Sequence, residues 1–188
     1  EGKYEMKRER LSKEFIERYN ERKLIHEDSL LFPDSLRKAT KILKRMVYGG
    51  GGIMPDYYVP MDTAAYSSYF RKVVAKGILN KIALQYVDKE KKNLLKLYPT
   101  FDKFKSHFQV QQELQQEVIA EAEREKIPFV ADEYEKSKPF MMIYLKAIIA
   151  RDIWTVTEYF QVINEQNEIY NKAVDILRSK TIYDELLK

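Results

Sequence analysis

Cysteine is absent from the 188-residue chain. That excludes disulfides, thiolate-held metals and a cysteine nucleophile, and it leaves the compartment open, because cysteine-free chains serve in oxidising and reducing surroundings alike. Histidine is nearly absent: His26 and His107 stand in polar segments, and neither has the partner four residues away that a helical zinc pair needs. No apolar run approaches the about 18 residues that carry a helix across a bilayer. The first residues lack the basic, apolar and small-residue succession of a secretory leader. The chain opens on Glu1 rather than Met, so a processed product or an excised piece is the expected origin. Glycine and proline number six each, few enough for helices to run long.

Charge and aromatic residues fill the space these leave. Apolar residues make up 45% and charged residues 33%, the proportions of a globular chain with a helical bias. The net charge of +4 comes from 33 basic and 29 acidic residues, interleaved as on solvated helix faces. A nucleic-acid footprint normally needs a segregated basic face. The most basic stretch, "RKATKILKR" from Arg37 to Arg45, is therefore read first as solvated surface.

Periodicity predicts a helix over Tyr4–Lys23, with Met6, Leu11, Phe15, Ile16 and Tyr19 as its apolar stripe, then an irregular connection through Pro33. Ile42–Tyr48 reads as a short strand and Tyr57–Val59 as a second β-type cluster. Asp62 or Thr63 is a good N-cap for a series of helices. These are expected at Ala64–Val74, Ile78–Tyr98, Gln111–Lys126, Asp132–Trp154, Val156–Asn164 and Glu168–Ser179, with a short tail at Tyr183–Leu187. Pro139 is expected to open the main apolar part of the Asp132–Trp154 helix. The predicted fold class is mainly α: a bundle-like set of helices with a short two-strand β segment around the glycine run. The expected division is an N-terminal helix and connection (1–40), a β segment (41–62) and a helical domain (63–188).

Four of the six glycines, Gly49, Gly50, Gly51 and Gly52, are consecutive. A phosphate-binding loop would place them directly before a helix and follow them with a Lys-Ser/Thr pair. Here Ile53 to Val59 is β-branched, aromatic and proline-containing, which suits an extended segment. A hinge would mix glycine with serine over a longer span. The run instead suits a backbone that passes close to another backbone or takes positive φ. Pro55 fixes φ after it, and Asp56 is expected to hold a turn by accepting backbone N–H bonds.

"VYGGGGIMPDYYVPMDT", Val47 to Thr63, resembles a segment near the end of the protease core in the carboxyl-terminal processing (tail-specific) peptidases, the S41 family of serine peptidases. "FPDSL" before the run, "KSKPF" and "LKAIIARDIW" after it are similar to the bacterial subgroup whose core continues into a helical C-terminal region. The resemblance implies a strand of a catalytic sheet, a serine nucleophile and a lysine base whose lowered pKa lets it take the hydroxyl proton. Both catalytic residues precede the glycine stretch in that family. Ser12, Ser29 and Ser35 are the serines ahead of it here, and none sits in a small-residue turn after an apolar strand; no Gly-x-Ser-x-Gly elbow occurs. The dyad therefore maps to no residue, and the family's PDZ-like module is missing.

The expectation is a C-terminal portion of such a peptidase, inactive alone, with no catalytic, cofactor-binding or metal-binding residue. Gly49, Gly50, Gly51, Gly52, Pro55 and Asp56 form its structural motif. Its helices would act in structure, substrate access or assembly, including self-association, and peptide substrates would be met only through the parent enzyme. The resemblance also implies a periplasmic or envelope location. Parted from its sheet, Val47–Val59 is expected to be disordered, recruited into a dimer or paired locally as a hairpin. The competing expectation is a helical interaction module with no catalytic parent; a weaker one is nucleic-acid binding through Arg37–Arg45.

Overall fold

The computed structural model describes residues 37–42, 44–48, 56–59 and 66–187. The helix expected over Tyr4–Lys23, the caps at Asp62 and Thr63, Gly49, Gly50, Gly51, Gly52 and Pro55 lie outside those residues. The chain divides into two compact units, Asp62–Asn167 and a second that joins Glu1–Met61 with Glu168–Lys188. The fold is mainly helical with one short antiparallel two-stranded sheet.

In the Asp62–Asn167 unit, α1 (Ser68–Ala75) starts where the Ser67 hydroxyl accepts the N–H of Phe70 at 3.1 Å. That cap explains why Tyr66 and Ser67, within the span expected to be helical, stand ahead of the helix. Gly77, at φ 68°, turns the chain into α2 (Ile78–Leu97). A Cβ there would meet nothing within 4 Å, so the preference for glycine at this corner is conformational and not steric. Ile78, Leu79, Ile82, Ala83, Val87 and Leu94 form the buried stripe of α2.

Next comes α3 (Phe101–His107), capped by Thr100, whose hydroxyl accepts the N–H of Lys103 at 3.4 Å. α4 (Gln112–Arg124) closes with two bonds: Lys126 N–H to the Glu123 carbonyl at 3.0 Å and Ile127 N–H to the Ala122 carbonyl at 2.8 Å. This is the Schellman pattern, with Lys126 at φ 63° where glycine is usual. Pro128 then stops the helix, as its position predicts.

α5 (Ala131–Ile153) is the central element and packs against α1, α2 and α6 (Val156–Ile163). Met141, Leu145, Ala147, Ile148, Ile149 and Ala150 are all buried on it. The helix continues through Pro139, as the expected span Asp132–Trp154 requires, and most of its buried apolar residues follow that proline. The loss of one backbone donor on an exposed face is offset by burial on the other. At the start of α6, Thr155 and Glu158 complete a capping box. Tyr69 shows the cost of this dense packing. Its hydroxyl is buried without a hydrogen-bond partner among the described residues and is pushed up to about 12, by burial first and then by Tyr134 and Glu123.

In the other unit, β1 (Arg37–Ala39) pairs antiparallel with β2 (Met46–Tyr48) in the register Arg37↔Tyr48, Lys38↔Val47 and Ala39↔Met46. The Thr40 N–H donates to the Arg45 carbonyl at 2.8 Å, and the Arg45 N–H donates to the Thr40 hydroxyl at 3.0 Å. These two bonds close the loop 41–44, so Ile42 sits in a turn and not in the strand expected over Ile42–Tyr48. The strand partner precedes β2, and Tyr57–Val59 is irregular. α7 (Glu168–Arg178) and α8 (Lys180–Leu186) pack on each other, and neither has a fully buried residue. Among the described residues no helix is long and apolar enough to cross a membrane.

Candidate functional site

Of the six residues in the glycine-run motif, Asp56 alone is described. Its carboxylate pairs with the guanidinium of Arg45, eleven residues earlier. Sequence reasoning assigned Asp56 backbone N–H groups; the partner observed is this side chain. Arg45 also donates to the carbonyl of Leu186 at 3.1 Å. One guanidinium thus joins the end of the hairpin loop, the segment 56–59 and the end of α8. A planar group with five donors suits such a junction better than an ammonium would.

Beside this junction lies a groove of about 320 Å³, with Tyr57 and Val59 on one side and Ile169, Ala173, Ile176 and Tyr183 among its other walls. Lys172 Nζ stands 4.7 Å from the centroid of the Tyr57 ring, a cation–π contact that orients both. The lining is mostly apolar. It can hold a hydrophobic side chain, with Asp56 and Lys172 as the charged members of its lining.

The Asp62–Asn167 unit carries a more polar cleft of about 480 Å³, lined by Gln112, Gln115, Gln116, Phe129, Tyr134 and Lys138 among others. Gln115 is held in place from both ends of its amide: Nε2 donates to the Val110 carbonyl at 2.9 Å, and Oε1 accepts from the Tyr134 hydroxyl at 3.5 Å. Lys146 is the lysine that sequence reasoning passed over. Burial, with a contribution from Lys105 and against Glu165, sets its ammonium below the ordinary lysine range. It donates to the Lys105 carbonyl at 2.6 Å and lies 6.0 Å from the Phe104 ring centroid, so it fastens α3 to α5. The signal was present in "LKAIIA", a lone cation in an otherwise apolar turn. Among the described residues no group of three His, Cys, Asp or Glu side chains is placed to hold a metal ion.

Glu121 is the buried carboxylate of this unit, with a 5% exposed side chain paired to Lys81 and Arg124. The hydrogen bond from Lys81 lowers its pKa most, burial opposes it, and Arg124 lowers it further. Because the folded carboxyl holds its proton less well than the unfolded one, its contribution to stability is complete above the ordinary value of 4.5 and is lost as pH falls through the folded value. Urea midpoints followed from neutral pH into acid should fall less steeply for Glu121→Gln than for the native chain; parallel curves would remove Glu121 from the acid response.

A model of a family of unknown function (DUF8443) matches residues 69–155, from the second residue of α1 to the residue after Trp154. The matched stretch lies wholly within the Asp62–Asn167 unit. No curated protein and no solved structure matches the chain.

Proposed function

We propose that this chain is the C-terminal region of an S41-type serine endopeptidase, unable to cleave peptides by itself, whose helices serve as a structural and assembly element on the protease core. The observation that carries the reading is the stretch Val47–Thr63, whose order of glycines, proline and aspartate resembles the end of that family's catalytic sheet. Two features support it. β2 is extended up to Tyr48, the residue that precedes the glycine run in sequence. Asp56 is fastened to Arg45, which holds the segment after the glycines beside the hairpin. In such an enzyme the nucleophilic serine and the lysine base lie upstream, and an envelope location follows from the same resemblance.

The reading frame that encodes Glu1 tests this. A serine in a small-residue turn after an apolar strand, followed by a lysine, is expected upstream and in frame. A start codon immediately before Glu1 would overturn the proposal. A fluorophosphonate probe should leave this polypeptide unlabelled, and stoichiometric labelling of any of its serines would count against it. The second reading, a helical interaction module without a catalytic parent, draws support from the apolar groove between Tyr57 and α7; the start codon is the result that would favour it.

A further inference from the structure

The segment from Arg37 to Tyr48 contains five cations, Arg37, Lys38, Lys41, Lys44 and Arg45, and no acidic residue. The hairpin organises them. Arg45 is turned inward to Asp56 and Leu186, whereas Lys38, Lys41 and Lys44 are exposed and form no ion pair with a carboxylate among the described residues. Lys41 and Lys44 lie in the loop that the Thr40–Arg45 bonds hold shut. Between them projects Ile42, 90% exposed, with Met46 at 50% and Val47 at 39% just behind it. Lysines flanking a largely exposed isoleucine at the tip of a closed hairpin are not used in packing among the described residues of this unit.

We propose that this hairpin tip is a docking surface for an anionic lipid bilayer, with lysines on the headgroup phosphates and Ile42 at the acyl boundary. The occupant follows from pairing the two chemistries. Each lysine near an anionic leaflet contributes about 1 kcal/mol, or about fivefold in affinity, and an exposed aliphatic side chain gains by leaving water there. Nucleic acid would satisfy the lysines alone. Its bases stack on aromatic rings and guanidinium planes, and Ile42 offers neither. An acidic protein surface would likewise leave the apolar tip in water. The proposal stands apart from the peptidase reading, since it rests on the hairpin and not on a parent enzyme.

The test is sedimentation of the whole chain with sucrose-loaded vesicles, either pure phosphatidylcholine or equal parts phosphatidylcholine and phosphatidylglycerol. Binding is expected only to the mixed vesicles, and it should weaken as salt is raised. Lys41→Glu with Lys44→Glu should lower affinity by about 25-fold or more. Ile42→Ser should lower it several-fold while leaving the salt dependence unchanged. Circular dichroism checks that each variant keeps its helices, and Lys41→Ala with Lys44→Ala, expected to lower affinity about 25-fold, replaces the charge reversal if that one fails to fold. Equal binding to both vesicle types, or mixed-vesicle affinity indifferent to these substitutions, would overturn the proposal. So would hairpin-dependent binding to duplex DNA with no binding to anionic vesicles.

Discussion

Replacing Phe104 with alanine is expected to cost the Asp62–Asn167 unit about 3–5 kcal/mol of stability, the range for deleting a buried aromatic ring. Phe104 is fully buried on α3. Its ring stacks on Phe108, with centroids 4.5 Å apart and planes 16° from parallel, and meets the edges of Trp154 at 5.2 Å and Tyr98 at 5.7 Å. Those rings come from three different stretches of chain, so a void at Phe104 would have to be filled from several directions at once. Aromatic pairs add roughly 0.5–1.5 kcal/mol beyond area alone, which places this substitution toward the upper end of the range. The ring also lies under the Lys146 ammonium, and its removal would leave that half-buried charge with less to face. Urea unfolding followed by the fluorescence of Trp154, the single tryptophan, reads the loss directly. A decrease below about 1 kcal/mol would show that the aromatic cluster is not the keystone of this unit.

Pro139→Ala is expected to act in the opposite direction, raising stability by about 2 kcal/mol. Proline in a helix interior costs about 3 kcal/mol through its missing N–H and the clash of its ring with the carbonyl one turn earlier. Against that stands the smaller freedom of proline in the unfolded chain, worth about 0.4–1 kcal/mol. Pro139 lies on the exposed side of α5, whereas Ser137 and Met141 on either side of it are buried. The substitution therefore removes the ring without opening the core. A higher urea midpoint with an unchanged slope is the expected result. A lower midpoint would mean that the buried Ser137, whose hydroxyl accepts the Ser67 N–H at 3.0 Å, depends on a helix shape that proline imposes.

Most helices were legible from the chain alone. α2, α4 and α6 carry apolar residues at helical spacing and end at prolines or caps, and their positions fall within a residue or two of the expected ones. α3 was missed because seven residues, "FDKFKSH", span too few turns for periodicity to speak, although Thr100 after Pro99 is a cap signal in plain view. β1 was invisible for a different reason: Arg37, Lys38 and Ala39 have no β-branched or aromatic member. Its strand exists because Thr40 and Arg45 close the loop and bring Met46–Tyr48 alongside, a tertiary circumstance that propensity does not carry. Pro139 did not hide α5, because the apolar run from Met141 to Ala150 that follows it was legible and buries enough surface to hold the helix through the proline. At the site, Asp56 could be singled out by its place after Pro55. Its partner could not, since eleven residues separate it from Arg45 and no local rule links a loop cation to a carboxylate beyond four glycines.

The guanidinium of Arg45 reaches a carbonyl 141 residues further along the chain. During synthesis, everything from Asp62 to Asn167 can leave the ribosome and collapse before that carbonyl has been made. The hairpin can close on its own Thr40–Arg45 bonds, but the Arg45 bond to Leu186 must wait until α8 emerges. Closure of this junction is thus ordered after folding of the unit whose sequence lies between its two partners.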